Sequence, residues 1–333
     1  MKTSSRFHAT LILLVVATSA LFLLSLVTGP AIVSLSDSLN ALFGRGDDLL
    51  VLVMQEIRLP RALLGLIIGA TLGLSGAALQ GYLRNPLAEP GLIGVSASAS
   101  LGAVIAIYTG LSAAFAIALP LLALAGAVVA VLLLQVMAGP DGRPLTVILA
   151  GVAISSLAGA MTSLVLNLSP NPFAAIEIMF WMLGSLTDRS MPHVWLILPF
   201  TLLGWAMLFR LGRALDALTL GPDAAASMGV NLKSAQRLAV IGTALSVGAA
   251  TAVSGAIGFV GLVVPHVLRP VVGAQPSRLL PASALGGAAL LLSADNLVRV
   301  IAPGRDLKLG ILTAIVGAPF FFWLVWSHRR KAQ

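Results

Sequence analysis

Residues 69–94 read GATLGLSGAALQGYLRNPLAEPGLIG. An apolar run crowded with small residues (Gly69, Gly73, Ser75, Gly76, Ala77, Ala78) extends to Gln80. It halts at Arg84-Asn85-Pro86-Leu87-Ala88-Glu89-Pro90, and a second apolar run starts at Leu92. The halt has a physical cause: two nearby prolines remove backbone donors and push the residues before them out of the helical region. A single Arg and a single Glu mark a short polar turn between two buried segments. A related break follows later. Gly69-Ala70 and Ser75-Gly76-Ala77 recur as Gly248-Ala249 and Ser254-Gly255-Ala256, and Pro265 stands as far beyond the second copy as Pro86 does beyond the first.

The composition around this stretch belongs to a membrane. The chain is 58% hydrophobic and 10% charged, with mean hydropathy +1.02, whereas soluble domains carry about 25% charged residues. Leu92 to Met137 holds no charged residue. At about 1.5 Å per helical residue that run is roughly twice the thickness of a bilayer core, so it holds two spans. The formal charge of +8 does not point to nucleic acid, because the basic residues stand singly between apolar runs without a patch or aromatic platform. There is no cysteine, which excludes a disulfide framework and thiolate chemistry. Lys2 and Arg6 precede an apolar run from Ala9 to Val27. That run is longer than the usual apolar stretch of a cleaved signal, about 7–15 residues, and reads as a retained first helix.

The pattern predicts an all-α polytopic membrane protein of about ten transmembrane helices, near 9–29, 60–82, 92–109, 112–137, 145–167, 191–210, 234–253, 256–272, 279–298 and 308–327. With both termini inside, thirteen of the Lys and Arg residues fall in cytoplasmic segments and seven outside, the bias expected of that orientation. Spans 2–5 and 7–10 then cross in opposite directions as inverted repeats, an architecture of transporters. Gly65, Gly69 and Gly73 form a face for close helix approach. Outside, 34–56 reads as a surface-lying helix broken at Gly44-Arg45-Gly46, and 169–190 as a short helix at a pore mouth or an interfacial anchor through Phe180 and Trp181. Inside, Gly221-Pro222-Asp223 starts a short helix that Gly229 stops. It is either a linker on the membrane surface or a docking helix for a cytoplasmic partner.

Several chemistries have no residues to carry them. No G-x-x-x-x-G-K-[ST] occurs, so the chain has no P-loop for ATP. His8, His193, His266 and His328 are scattered, and no metal or cofactor site is expected. The acids sit at loops and span ends, with Asp295 near the end of span 9, which leaves no mid-span coupling charge for a secondary carrier. The few mid-span polar residues (Ser155, Ser156, Asn167) form no catalytic set. A transporter of this kind takes its energy from a partner.

The chain resembles the permease subunits of ATP-binding-cassette importers for iron-siderophores, haem and vitamin B12, the iron-chelate/cobalamin (FecCD-type) family. The resemblance rests on Arg58-Leu59-Pro60-Arg61, Gly69-Ala70, Ser75-Gly76-Ala77 with Gln80, Arg84 to Pro90, Trp181 with Gly184-Ser185, Leu220-Gly221 with Gly229-Val230, Gly255 to Leu262, Pro265-His266 with Arg269, Leu279-Leu280-Pro281, Ala294-Asp295 with Arg299, Gly310 to Gly317, and Pro319-Phe320. These pieces cover nearly the whole chain in order.

It implies a single permease domain over 1–333, with repeat-like halves at about 58–168 and 234–327 and a coupling segment at 211–233. It implies a homodimer or paired permease in a bacterial plasma (inner) membrane. Two cytoplasmic ATPase subunits would bind the ATP, and an extracytoplasmic binding protein would deliver the substrate. Arg58, Arg61 and Arg299 match positions that dock the binding protein. Asn85 and Leu87 fall at the cytoplasmic gate. Leu220, Gly221, Asp223, Ala225, Met228 and Gly229 fall in the ATPase-coupling helix. This chain departs from the family at Pro222, Asp223 and Ala226, at Gln275-Pro276-Ser277-Arg278, and at Asp306-Leu307-Lys308. The last adds a cation at the outer mouth of span 10, which is either a solvated loop charge or a group that favours an anionic substrate. The expected cargo is an iron-siderophore, with haem or cobalamin as alternatives.

Overall fold

The computed structural model describes residues 2–29, 33–115, 117–139, 144–169, 171–302 and 307–331, and among them there is no strand. Arg143, Arg305 and Asp306 lie outside the described residues. The chain runs through α1 (Lys2–Val27), α2 (Leu35–Leu42) and α3 (Asp48–Leu52), which widens into a π-helical turn at Val53–Arg58 before α4 (Leu59–Tyr82). A 3₁₀ turn, Pro90–Ile93, leads into α5 (Val95–Tyr108), α6 (Leu111–Ala114), α7 (Ala118–Ala138), α8 (Pro144–Asn167) and α9 (Pro172–Met182). Then follow α10 (Met191–Phe209), α11 (Gly212–Leu218), α12 (Pro222–Ser227), α13 (Leu232–Ser254), α14 (Val260–Val272), α15 (Pro276–Ile301) and α16 (Leu309–Lys331).

Each expected span has a helix at its place. Among the described residues, seven helical runs are long and apolar enough to cross a bilayer: α1, the run Asp48–Tyr82, α7, α8, α10, α13 and α15. The expected spans at 92–109, 256–272 and 308–327 correspond to α5, α14 and α16, which are shorter apolar helices over their described residues. The cause is local for two of them. α5 and α14 have 14 and 13 residues, about 20 Å at 1.5 Å per residue, because each starts after an irregular break.

α4, which holds the quoted small-residue run, is the centre of the molecule. Nineteen of its 24 residues are buried, as befits a helix that is apolar all round. Its glycines set the spacing to α15. A Cβ on Gly69 would lie 2.4 Å from the Gly287 carbonyl oxygen, and one on Gly73 would lie 2.0 Å from that of Ser283. No side chain fits there, so the backbones touch.

The repeat is real at the level of elements but is displaced from the motif that suggested it. In α4 the Ser75-Gly76-Ala77 copy is mid-helix, and two further turns carry the helix to Tyr82. The second copy ends its helix: Ser254 closes α13 and Gly255 turns out with φ +71°. Pro86 lies in a turn, whereas Pro265 is inside α14. Motif spacing and helix ends therefore diverge. What corresponds is the order long, short, long, long: α4, α5, α7, α8 and α13, α14, α15, α16. Both short helices begin after a residue of left-handed conformation, Gly94 (φ +79°) and Phe259 (φ +67°). The packing is reciprocal as well. α4 lies on α15 as α13 lies on α7, and α5 packs on α7 as α14 packs on α15.

Two further expectations are refined. The 34–56 segment breaks at Gly44 and Gly46, both with positive φ, as read. Of the two aromatics proposed as interfacial anchors, Phe180 is exposed but Trp181 is turned into the core.

Candidate functional site

Three regions hold the residues singled out in the sequence. The first is a charge cluster where α1, α4 and α15 meet. Arg61 forks onto Asp295, with Nε 3.0 Å from Oδ1 and 3.1 Å from Oδ2 and Nη2 2.8 Å from Oδ1. Arg299, one turn along α15, donates from Nε to Oδ2 at 2.9 Å and from Nη2 to the same oxygen. Asp295 is 1% exposed and accepts from both arginines.

The remaining donors find the end of α1, whose last carbonyls have no helical partners. Arg58 Nη1 donates to Leu26 O at 2.9 Å and Val27 O at 3.0 Å. Arg299 Nη1 donates to Ser25 O at 2.8 Å and Thr28 O at 3.0 Å. Cations are favoured at a helix C-terminus by the macrodipole too. The π-helical turn places Arg58 for this reach, and Gly29 makes room: a Cβ there would meet the guanidinium at 2.8 Å. The structure thus brings Arg58, Arg61 and Arg299 together, beside a cavity of about 290 Å³, with their guanidinium groups folded inward. Arg58 is 4% exposed; Arg61 keeps the largest open fraction of the Asp295 pair.

The second region is the turn after α4. Arg84 has φ +50°, the αL position usually given to glycine. The N–H of Asn85 reaches Gln80 O at 3.1 Å and that of Arg84 reaches Gly81 O at 3.3 Å, a Schellman ending. Asn85 then accepts the Leu87 N–H on Oδ1 at 2.9 Å, so its side chain shapes the turn. Leu87 is exposed.

This turn is locked onto the break before α14. Glu89 Oε1 accepts the Phe259 N–H at 2.5 Å, and Pro90 abuts Gly261, where a Cβ would lie 2.6 Å from its Cδ. Gln80 is buried and donates to Ala88 O and Gly261 O at 3.3 Å, while its Oε1 accepts from Arg269 Nη2 at 2.7 Å. Burial pushes the Glu89 carboxyl above the usual carboxylate range, and the Phe259 N–H opposes that shift.

The third region is α12 with its flanks. Gly221 (φ +109°) starts it and Gly229 (φ +85°) ends it. Val230 N–H bonds Ala225 O and Gly229 N–H bonds Ala226 O, again a Schellman ending. Ala225 is fully buried and pins the helix to the core, and Asp223 lies exposed in the first turn. On either side, Leu220 and Met228 are 68% and 64% exposed. Nearby Asp216 steadies this end of the molecule by accepting the Ser277 N–H at 2.8 Å, capping α15.

The three regions are separate, and among the described residues no catalytic constellation forms between them. A protein-family model described as the FecCD transport family matches residues 14–327. The chain belongs to the FecCD family. It is 39% identical over 277 residues to the Escherichia coli Fe(3+) dicitrate transport system permease protein FecD, covering 83% of this chain and 86% of that one. It is 40% identical over 283 residues to a Halobacterium salinarum cobalamin import system permease, covering 84% and 75% respectively. A solved metal-chelate type ABC transporter in an inward-facing conformation superposes with TM-score 0.83 at 32% identity, covering 95% of this chain and 98% of that chain.

As a FecCD permease the chain is a transport subunit of an ABC importer, not an enzyme. What the sequence did not disclose is the pairing: Asp295 as hub of the arginines, Gln80 with Arg269, and Glu89 with Phe259. One signal existed for the first, an acid four residues before an arginine on an apolar helix. The other two join segments about half a chain apart and leave no local trace.

Proposed function

We propose that this FecCD permease imports iron-siderophore complexes, working as a homodimer in a bacterial plasma membrane with both termini inside. The observation that carries the partner-driven reading is the exposed Leu220 and Met228 pair flanking α12. Two large exposed apolar side chains at either end of a short helix suit the apolar core of a protein interface, and we assign that interface to a cytoplasmic ATPase that binds the ATP. The docking segment then includes Leu220, Gly221, Asp223, Ala225, Met228 and Gly229.

Asn85 and Leu87 are the inner gate on this reading, because their turn is cross-linked to α14 and an exposed Leu87 stands at its tip. Arg58, Arg61 and Arg299 serve the outer face. Arg61 is the member best able to meet an acidic group of a binding protein, while Arg58 holds the end of α1. An ion-coupled carrier is disfavoured because Asp295, the acid within α15, is held in hydrogen bonds by Arg61 and Arg299. Haem and cobalamin remain the alternative cargoes.

Reconstitution with a candidate cytoplasmic ATPase and a candidate substrate-binding protein tests the proposal. ATP-dependent uptake of labelled ferric siderophore, exceeding that of haem and cobalamin, is the expected result. Uptake that proceeds without any ATPase would refute ATP-driven import, and a preference for haem or cobalamin would replace the cargo.

A further inference from the structure

A second cavity, of about 410 Å³, opens between α9, residues 185–189 and the start of α16. Its lining includes Glu177, Phe180, Trp181, Asp188, Arg189 and Lys308. Its floor is fixed by backbone bonds to two other elements: Ser185 N–H to Ser254 O at 2.8 Å and Gly310 N–H to Gly184 O at 3.3 Å. At Gly184 a Cβ would stand 2.5 Å from Ala256 O, and at Gly310 one would stand 2.2 Å from Leu183 O. The walls are preformed, as ligand sites usually are.

The chemistry of the lining favours an anion. Trp181 is 9% exposed, and its indole N–H has no acceptor among the described residues. A buried donor left so is destabilising, a deficit that an oxygen entering the cavity would relieve. Ser185 Oγ accepts the Thr187 N–H at 3.1 Å, so its own hydrogen points elsewhere. Arg189 is half-buried with Nε on Val253 O, and half-buried Lys308 stands with Nζ 5.4 Å from the Phe180 ring centroid. Two carboxylates also border the cavity, but Glu177 and Asp188 are exposed. Solvent screens exposed charges more than sheltered ones, so the cations dominate inside.

We propose that this cavity is a recognition subsite for an anionic, oxygen-rich metal chelate, with Lys308 setting the charge preference and the Trp181 N–H meeting a carboxylate or phenolate oxygen. The inference rests on the import reading and adds a residue-level specificity to it. It separates anionic chelates from uncharged ones, including corrinoids.

The test uses the full chain in nanodiscs and equilibrium dialysis of labelled gallium chelates: gallium citrate, which is anionic, and an uncharged gallium trihydroxamate. The expected result is saturable binding of the citrate complex, weakened about tenfold or more by Lys308→Glu, kept by Lys308→Arg and reduced a few-fold by Trp181→Phe. The trihydroxamate should be indifferent to Lys308. Absence of saturable citrate-chelate binding, equal binding by wild type and Lys308→Glu, or equal losses for both chelates would overturn the subsite. The same variants in the reconstituted transporter keep the two readings apart. ATP-driven uptake that ignores Lys308 removes the subsite alone, whereas no ATP-driven uptake of any chelate removes the import reading.

Discussion

At the scale of single residues, the decisive group is Asp295, a buried carboxylate gripped by two arginines from α4 and α15. Breaking a buried pair by removing one partner is costly because the other charge is stranded, about 3–5 kcal/mol. Asp295→Asn should therefore lower the melting temperature of the detergent-solubilised protein by several degrees or more. A conservative Arg61→Lys should lower it less, since one contact survives without the fork. Equal melting of Asp295→Asn and wild type would show that the network carries no stability.

Glu89 gives a pH signature. Its native carboxyl is held above the ordinary range by burial, so the folded state binds the proton more tightly than the unfolded chain does. Stability contributed here is greatest below the ordinary glutamate value. It falls as pH climbs through the native value and is level above it. Glu89→Gln keeps an acceptor for Phe259 while removing the charge, and should flatten that part of the melting-temperature profile. An unchanged profile would remove Glu89 as the titrating group.

At the scale of elements, the contact of α4 with α15 depends on glycine for want of space. Gly73→Ala forces a methyl against the Ser283 carbonyl at 2.0 Å, and overpacking of this kind costs about 1–3 kcal/mol or more. Gly159 in α8 is a control with nothing among the described residues within 4 Å of its missing Cβ. There alanine should be neutral or stabilising by about 0.5–1 kcal/mol through helix propensity. Parallel thermal melts of the two variants check both signs.

The α12 region is read by binding instead. Leu220→Asp with Met228→Asp touches only exposed side chains and should leave melting nearly unchanged, yet abolish co-purification of a cytoplasmic ATPase and ATP-dependent uptake. The short helix itself was legible in advance, because Gly221-Pro222-Asp223 and Gly229 are start and stop signals that act locally. The extent of α13 was legible too, 234–253 against Leu232–Ser254, but not from the motif it shares with α4, because a packing pattern does not say where a helix ends.

For the whole molecule, the two halves trade partners, α4 with α15 and α13 with α7, so neither half closes a core alone. Perturbing one break should be felt at the other, since Glu89 and Gln80 tie the turn after α4 to the segment before α14. In the sequence alone, the membrane class, the helix positions, the polar breaks and the family resemblance were all determined, because they depend on apolar run length, proline, glycine and ordered motifs along one dimension. Only the tertiary structure decided that Arg58, Arg61 and Arg299 turn inward around Asp295 and the end of α1. It also decided that the opening turn is a latch, with Glu89 on Phe259 and Gln80 on Arg269. The reason is physical: a buried charge takes the partner that folding brings within about 3 Å, and Arg61 and Asp295 stand 234 residues apart in the chain.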